Sequence, residues 1–413
     1  MSTITDPPPT QAGPPPAAGA RSPFARLREL LGDLPPGADP IDLSIGEPRH
    51  PFPPLVGEVL SRELAGFGKY PPAKGTAPFR AAVGAWADRR YGLGGGLDPD
   101  TSILPLAGSR EGLFLVALLA AERARARGVE RPAFVLPNPF YQTYAAAIHA
   151  AGGEAIFLPA IRQNGYLPDL GAVAAPIRAR LAAIYLCSPA NPQGAVADLE
   201  YWRRLIGFAR AHDAIVLADE CYSEIYRDIP PPGVLEAADG DFSSVLSFNS
   251  LSKRSNLPGL RLGFVAGDPA LIAPFATMRN IAAATVPLPI LAVAQAVYGE
   301  ETHVAETRAL YNDKFKAAAE ILGHRFGHQT PPGAFFLWLD MSEVEGEGGG
   351  ATRGEAAALH LWREAGVKVV PGSYLSATPE SGADPGADYI RIALVGTLEE
   401  TETALIRLAK VFA

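Results

Sequence analysis

Two kinds of hydrophobic pattern alternate along the chain. Short apolar runs of four to six residues are typical of buried strands, and they lie at 103–106, 133–136, 181–186, 214–218 and 245–248. Stretches in which apolar residues recur every three or four positions predict helices, and they lie at 22–31, 55–64, 79–91, 110–127, 271–283, 290–323 and 359–365. Because strands and helices alternate, we predict an α/β fold with a mostly parallel sheet and helices on both faces.

Shorter apolar segments predict additional strands at 41–46, 333–339, 367–370 and 388–394. The Gly- and Glu-rich segment 343–354 is predicted to be an exposed loop. A chain of 413 residues is too long for one small core, so two domains are expected. We predict the following division: a disordered Pro-rich tail over 1–21, an arm that belongs partly to the small domain over 22–50, a large domain over 51–289 and a small α+β domain over 290–413.

The composition argues against several classes of protein. A net charge of −8 and a pI near 5.5 disfavour nucleic-acid binding. No run of about 18 apolar residues predicts a membrane span, and no basic segment followed by an apolar one predicts a signal peptide. The two cysteines, Cys187 and Cys221, are too few for a disulfide framework and fit a reducing compartment. The expected location is therefore the cytoplasm, and no metal site is predicted.

The segment 247–264 is the most informative in the chain. It reads Ser-Phe-Asn-Ser-Leu-Ser-Lys-Arg-Ser-Asn-Leu-Pro-Gly-Leu-Arg-Leu-Gly-Phe. A lysine after a strand usually points to solvent, but Lys253 is crowded by the hydroxyls of Ser250 and Ser252, and Arg261 follows it. Small hydroxyls and an arginine suit a phosphate dianion. A lysine held beside such a phosphate suits imine formation with a phosphorylated aldehyde, which predicts pyridoxal 5'-phosphate (PLP) as the cofactor.

Ser-Leu-Ser-Lys followed by Pro-Gly-x-Arg-x-Gly resembles the PLP-lysine signature of the class I/II aminotransferases. The longer string 252–261, Ser-Lys-Arg-Ser-Asn-Leu-Pro-Gly-Leu-Arg, is more narrowly similar to the succinyldiaminopimelate aminotransferases of bacterial lysine synthesis. The general resemblance extends from about residue 23 to the C-terminus. It implies the PLP-transferase fold type I, with a seven-stranded sheet in the large domain, and a homodimer whose active sites are shared between subunits.

A second part of the phosphate site is expected before the helical pattern 110–127. Gly and Ser at a helix start leave backbone N–H groups free for an anion, although ordinary N-capping explains the same residues. Beside the lysine loop, we interpret Gly108, Ser109 and Arg110 as cofactor-binding. In the family, a tyrosine reaches the phosphate from the partner subunit, and Tyr70 lies at the matching place.

Polar and aromatic residues follow three predicted strands, where ligands of open α/β sheets bind. The resemblance implies that Tyr141 stacks on the PLP ring and that Asn191 and Tyr222 donate to O3′. A carboxylate at Asp219 suits a protonated pyridine nitrogen. Three of them have a plainer interpretation: Tyr141 as a core tyrosine, Asn191 as part of a turn within Asn-Pro-Gln-Gly, and Asp219 as a helix N-cap. The family order of these residues favours the cofactor site.

The resemblance also implies substrate-binding residues. Gly46, in Gly-Glu-Pro, and Asn191 lie near the substrate carboxylate in the family, although a plain turn explains Gly46 as well. Arg391 lies on the face of its predicted strand opposite the apolar residues and needs an anionic partner. It matches the arginine that binds the α-carboxylate, for which a bidentate fork is suited. The alternative for Arg391 is a structural salt bridge.

The predicted activity is ping-pong transamination, with Lys253 joined to PLP as an aldimine and acting as the proton-transfer residue. The narrow similarity implies N-succinyl-LL-2,6-diaminopimelate as amino donor and 2-oxoglutarate as acceptor, giving N-succinyl-2-amino-6-oxopimelate and glutamate. Such a donor carries several carboxylates, so additional cations are expected near the site. Arg49, Lys74 and Arg279 are the candidates.

Several alternatives use the same motifs. An aminotransferase for another amino acid, or a PLP-dependent carbon–sulfur β-lyase, would have the same cofactor residues. A PLP-sensing regulator would need an appended DNA-binding domain, which the short tail does not provide. A nicotinamide-dependent dehydrogenase is disfavoured because no Gly-x-Gly-x-x-Gly follows an early strand.

Overall fold

The structure is a computed structural model that describes residues 22–344, 351–379 and 382–413. The predicted disordered tail and the middle of the predicted loop 343–354 lie outside the described residues. No helix within the described ranges is long and apolar enough to cross a membrane.

The helices and strands follow one another in an order typical of α/β proteins. The strands are β1 Ile41–Asp42, β2 Ile103–Leu106, β3 Ala133–Asn138, β4 Glu154–Pro159, β5 Leu181–Cys187, β6 Ile215–Asp219, β7 Val245–Ser250, β8 Gly263–Gly267, β9 Phe336–Asp340, β10 Val367–Lys368, β11 Val370–Pro371 and β12 Tyr389–Ala393. The helices are α1 Pro23–Leu31, α2 Leu55–Glu63, α3 Ala77–Tyr91, α4 Pro99–Ser102, α5 Ser109–Ala126, α6 Gln142–Ala150, α7 Ala175–Arg178, α8 Leu199–Ala211, α9 Val234–Ala237, α10 Leu251–Arg254, α11 Pro269–Ala282, α12 Leu288–Tyr298, α13 Thr302–Leu322, α14 Arg353–Ala365 and α15 Leu398–Val411.

Strands β2 to β8 form a seven-stranded sheet in the order β2-β8-β7-β6-β5-β3-β4. Strand β8 is antiparallel to both neighbours, and the other neighbouring pairs are parallel. The predicted mostly parallel sheet is therefore confirmed. The predictions above do not include β4 or β8: β4 is a half-buried edge strand, and β8 is bounded by glycines, which weaken a strand pattern.

The central strands of this sheet are buried on both faces, which explains their continuous apolar sequences. Alternate residues enter two different cores. Val216 and Ala218 pack into the core on one face, whereas Ile215 and Leu217 pack into the core on the other face. The two-residue period of a strand thus divides each apolar run between two layers of helices.

A smaller three-stranded antiparallel sheet, in the order β11-β12-β9, packs with α13, α14 and α15 around a separate core. Leu43 joins this core, and β1 pairs with β10, so the N-terminal segment packs with C-terminal elements. Helix α1 also contacts α14 and β11. The four-part domain division predicted from the sequence stays a proposal.

The predicted strand over 41–46 is wrong beyond Asp42. The Asp42 carboxylate accepts hydrogen bonds from the backbone N–H of Ser44 at 2.9 Å and from its hydroxyl at 2.6 Å. Such a local Asp turn competes with strand pairing, so the chain leaves the ladder before Gly46. The predicted helix over 290–323 is two helices, α12 and α13. The predictions above also do not include α6, α8 or α15.

Candidate active site

A cleft of about 380 Å³ lies at the carboxyl-terminal edge of β5, β6 and β7. Parallel strands end together at this edge, so residues that are distant in sequence meet there. Strand β12 and the segment after β1 form another wall, and the start of α1 borders the opening. The cleft therefore lies between the large sheet and the elements that pack with the small one.

Lys253 lies in this cleft on the short helix α10, directly after β7. Ser250 caps α10 by accepting a hydrogen bond from the N–H of Ser252 at 3.1 Å. The Lys253 ammonium donates to the carbonyl oxygen of Gly46. Burial, with a smaller contribution from the positive charge of Arg391, lowers the pKa of Lys253 to about 8. A reactive amine at near-neutral pH is the result.

Donors for an anion converge beside the lysine. The hydroxyls of Ser250 and Ser252 are 2.9 Å apart, and the cleft also contains Ser109 at the first turn of the 18-residue helix α5. Gly108 has φ +87°, and a Cβ at this position would lie 2.2 Å from the Arg261 guanidinium. Only glycine therefore allows the arginine to approach the start of α5, and together these groups form an anion cradle.

Asp219 ends β6 at the floor of the cleft and is 5% exposed. Its carboxylate accepts a hydrogen bond from the hydroxyl of Tyr144 at 2.6 Å and a longer one from the N–H of Cys221 at 3.4 Å. Burial raises the pKa of Asp219. A buried carboxylate of this kind fits a cationic ring nitrogen, which would stabilise its ionised form.

Arg391 projects from β12 and is 4% exposed. Its guanidinium donates to Asn191 Oδ1 at 3.0 Å and to the carbonyl oxygen of Ser44 at 2.7 Å. Its buried Nε has no hydrogen-bond partner among the residues that the structure describes. Burial lowers its pKa to about 10. An arginine held in this way retains donor capacity for a carboxylate.

Two aromatic residues complete the part of the cleft nearest the lysine. Tyr222 is buried edge-on against Phe335 and Phe336, with ring centroids 5.4 Å and 5.6 Å away. The hydroxyl of Tyr141 accepts a hydrogen bond from Arg110 Nε at 2.7 Å. The cleft therefore combines a reactive amine, an anion cradle, a buried carboxylate and a carboxylate-binding arginine.

A family model for class I and II aminotransferases matches residues 38–408. The chain belongs to this family. It is 32% identical over 394 residues to an LL-diaminopimelate aminotransferase of Moorella thermoacetica, covering 94% of this chain and 95% of that protein. A solved aminotransferase from Neisseria meningitidis is similar with a TM-score of 0.87 and 35% identity, covering 95% of this chain and 97% of the other. A solved probable N-succinyldiaminopimelate aminotransferase from Thermus thermophilus has a TM-score of 0.79 and 27% identity, covering 94% and 100%.

Aminotransferases of this family depend on PLP, and the cleft fits that cofactor. The anion cradle suits a phosphate, the buried Asp219 suits a protonated pyridine nitrogen, and Lys253 lines the same cleft. The resemblance seen in the lysine loop is thus confirmed for the family. Of the residues predicted for the site, Gly108 and Tyr70 do not line the cleft of this protomer: Gly108 lies behind the Arg261 guanidinium, and the Tyr70 side chain is fully exposed.

The cations predicted to bind distal carboxylates do not line the cleft. Arg279 is wrong as a candidate because it is 4% exposed, does not line the cleft and forms an ion pair with Glu111 at 2.8 Å. Arg49 is exposed and donates to the carbonyl oxygen of Asp42 at 2.9 Å. Lys74 is exposed outside the cleft. Within one protomer, none of the three reaches a bound substrate.

Two polar side chains of the string 252–261, those of Arg254 and Asn256, do not line the cleft. Arg254 is 3% exposed and contacts Glu301 at 2.5 Å. Asn256 donates to the carbonyl oxygen of Pro51 at 3.1 Å and to Thr307 Oγ1 at 3.0 Å. These side chains point away from the cleft and attach the lysine loop to α13 and to the segment that follows Gly46. These contacts hold the backbone on either side of the segment that follows Lys253.

Several residues at the site were not predicted, and three of them carry groups that bear on its chemistry. Glu47 lines the cleft beside Gly46, Cys221 donates its thiol to Ser109 at 3.0 Å, and Tyr144 holds Asp219. Glu47 belongs to the same Gly-Glu-Pro turn as Gly46, which was a usable signal. Tyr144 lies one helical turn after Tyr141, but only the fold directs its hydroxyl to Asp219.

Proposed function

We propose that this enzyme transfers the amino group of a diaminopimelate to 2-oxoglutarate in lysine biosynthesis. The observation that supports the proposal is the arrangement of Lys253 and Arg391 in one cleft with the anion cradle. Arg391 provides a fork for the α-carboxylate that every amino donor and oxo-acid acceptor shares. One site of this kind serves both half-reactions, and ping-pong kinetics follow.

Within this proposal, the predicted cofactor-binding residues other than Arg110 have the following roles. Ser109, Ser250, Ser252 and Arg261 hold the phosphate with the N-terminus of α5. The approach of Arg261 is allowed by Gly108, and Tyr70 of the second subunit completes this end of the site. Tyr141 stacks on the ring, and Asn191 and Tyr222 donate to the ring hydroxyl oxygen. Bound PLP supplies an electron sink for the carbanion that forms when the α-proton leaves.

The chain's own residues handle the substrate and the proton. Arg391 and Gly46 orient the α-carboxylate, so the Cα–H bond of the donor faces Lys253. The Lys253 amine takes this proton, which is favourable because burial has lowered its pKa to about 8. Asp219 keeps its negative charge against the ring nitrogen, with the Tyr144 hydroxyl fixing its orientation at 2.6 Å.

The donor is proposed in two forms. The similarity of 252–261 favours N-succinyl-LL-2,6-diaminopimelate, which would yield N-succinyl-2-amino-6-oxopimelate. The relative of Moorella thermoacetica is named for the free LL-diaminopimelate instead. Because the side chains of Arg254 and Asn256 point away from the cleft, the string does not decide between the two forms. A carbon–sulfur β-lyase of the same fold is the alternative, distinguished by release of pyruvate and ammonia without an oxo-acid acceptor.

The working enzyme is proposed to be a cytoplasmic homodimer. Exposed hydrophobic side chains at Phe67 and Tyr70 fit a subunit contact, since such side chains are usually covered in the functional assembly. Its partners are the small amino and oxo acids, with no nucleic acid or membrane.

A coupled assay tests the function. Purified enzyme is incubated with 2-oxoglutarate and either LL-diaminopimelate or its N-succinyl derivative, and glutamate is measured together with the visible spectrum of the resting enzyme. We expect a visible band that disappears in Lys253→Ala, and glutamate formation with at least one donor. A visible band without glutamate formation from either donor would refute the assignment of diaminopimelate as the donor. Absence of the band after reconstitution with PLP would refute PLP-dependent transamination through Lys253.

A further inference from the structure

Six charged side chains line the cleft within the described part of the chain. The proposed function, on which this inference rests, assigns four of them: Asp219 to the ring nitrogen, Arg261 to the phosphate, Lys253 to the proton and Arg391 to the α-carboxylate. Glu47 and Arg110 remain, although Arg110 was interpreted from the sequence as a cofactor-binding residue. Because an ionised group in a substrate cleft is expected to meet a complementary charge, these two residues are informative about the rest of the substrate.

Arg110 lies at the second position of α5, with its side chain exposed to the cleft. Its Nε donates to the Tyr141 hydroxyl at 2.7 Å, which fixes the plane of the guanidinium. No carboxylate among the described residues pairs with it. The two terminal nitrogens therefore remain available as a fork for a carboxylate.

Glu47 lies directly after Gly46, the residue whose carbonyl oxygen contacts Lys253. Its carboxylate is exposed to the cleft and forms no hydrogen bond or ion pair with the described residues. The charges of Glu47 and Arg110 act on the same amine, since Glu47 raises the pKa of Lys253 and Arg110 lowers it. The two side chains thus place opposite charges around one reaction centre.

We propose that Arg110 and Glu47 bind the distal end of the amino donor as a zwitterion, with Arg110 holding its carboxylate and Glu47 holding a free ammonium group. The apolar side chains of Phe24, Ile45 and Leu375 in the same cleft suit the methylene chain between the two ends. The substrate class is an α,ω-diamino dicarboxylic acid whose second amino group is not acylated. The acceptor 2-oxoglutarate uses Arg110 alone.

Acylation of the second amino group opposes this arrangement in two ways. It converts the ammonium group into a neutral amide, so Glu47 loses its counter-charge. A succinyl group also adds a carboxylate, which Glu47 repels. The free form of diaminopimelate is therefore the preferred donor, and the residue that discriminates between the two forms is Glu47.

The experiment compares the wild-type holoenzyme with Glu47→Gln and Arg110→Gln. Glu320→Gln and Arg203→Gln are the matched controls, because both side chains are exposed outside the cleft. For each protein, kcat/KM is measured with LL-diaminopimelate and with N-succinyl-LL-diaminopimelate at saturating 2-oxoglutarate. The Kd of each donor is measured by calorimetry in the PLP-loaded Lys253→Ala background, where proton transfer is removed.

We expect the wild-type enzyme to prefer the free donor by about tenfold or more, the effect of one charge-assisted hydrogen bond. Glu47→Gln should lower kcat/KM for the free donor by about tenfold, raise its Kd accordingly and leave the succinyl donor unaffected or improved. Arg110→Gln should weaken both donors and raise KM for 2-oxoglutarate while the resting visible spectrum is retained. The controls should behave as wild type.

A wild-type preference for the succinyl donor would overturn the inference, as would an equal loss for both donors in Glu47→Gln. Loss of the visible band in Arg110→Gln would assign Arg110 to the cofactor instead of the distal carboxylate. If the wild-type enzyme uses neither donor, the proposed function fails and the inference with it, an outcome distinct from the others.

Discussion

Arg254 directly follows the reactive Lys253. Substituting Arg254 tests whether its side chain positions the lysine loop or recognises the substrate. Its guanidinium contacts Glu301 Oε1 at 2.5 Å, the carbonyl oxygen of Val297 at 3.2 Å and the hydroxyl of Ser255 at 3.1 Å. It also lies over the ring of Tyr298, 5.1 Å from its centroid. Arg254→Met retains most of the apolar stem and removes all of these polar contacts.

The expected loss of stability is the difference between the interactions that Arg254→Met removes and the cost of burying a charge, which it also removes. Without the longer bond to the Glu300 carbonyl oxygen at 3.4 Å and the contact with the Trp86 ring at 5.8 Å, the three hydrogen bonds and the one cation–π contact contribute about 5 kcal/mol together. Part of this is offset because methionine requires no burial of a charge. The Glu301 side chain is 47% exposed, so its carboxylate remains hydrated when unpaired. We therefore expect the free energy of unfolding to fall by about 2–3 kcal/mol.

Urea unfolding of the cofactor-free protein measures the stability, and kcat/KM for the two diaminopimelate donors measures the function. Because the Arg254 side chain lies outside the cleft, the variant should lower kcat/KM by a similar factor for both donors and leave their ratio unchanged. Glu301→Gln is the control and should cost about 1 kcal/mol or less, as for other partly exposed ion pairs. Unchanged stability together with an altered donor ratio would refute the positioning role.

Three other predictions follow from the structure. In the cofactor-free protein the pKa of Lys253 is lowered to about 8, so the fraction of neutral amine increases as the pH rises to about 8. The rate of PLP incorporation, followed by visible absorbance, should increase over the same range and then level off. A rate that continues to increase up to pH 10 would contradict this prediction. Arg279→Met should break the buried ion pair with Glu111 and lower the free energy of unfolding by about 3 kcal/mol, without changing KM for dicarboxylic substrates. A raised KM at unchanged stability would instead indicate that Arg279 binds substrate. When inactive Tyr70→Ala and Lys253→Ala dimers are mixed under conditions that allow subunit exchange, roughly a quarter of the wild-type rate should be restored. Half of the dimers are then mixed, and each mixed dimer retains one complete site out of two. The absence of any recovery would contradict a site shared between subunits.

The sequence was sufficient to predict the residues that the sheet topology brings together. Asn191 and Asp219 follow parallel strands, and the carboxyl ends of such strands meet at one edge. Lys253 comes directly after a third strand of the same sheet. Their proximity therefore follows from element order, once the apolar runs are interpreted as strands.

Other features depended on packing that periodicity does not specify. Arg279 lies in an amphipathic helix, but the sequence does not indicate that Glu111 of another helix pairs with it in the interior. Asp42 ends the first predicted strand through a local hydrogen bond, whereas the apolar pattern continues to Ile45. Glu47 became distinguishable from its neighbours only when the cleft showed that its carboxylate lacks a partner.

The similarity of residues 252–261 was used to infer both the lysine chemistry and the identity of the donor, but these depend on different residues. Residues 252–261 must hold the lysine loop against the surrounding helices, and the contacts of Arg254 and Asn256 meet that requirement whichever donor is used. The donor, by contrast, is selected where its distal end lies, by the charges of Glu47 and Arg110. An aminotransferase that shares the string but has a neutral residue at the position of Glu47 should therefore lose its preference for a free second amino group while retaining the same lysine chemistry.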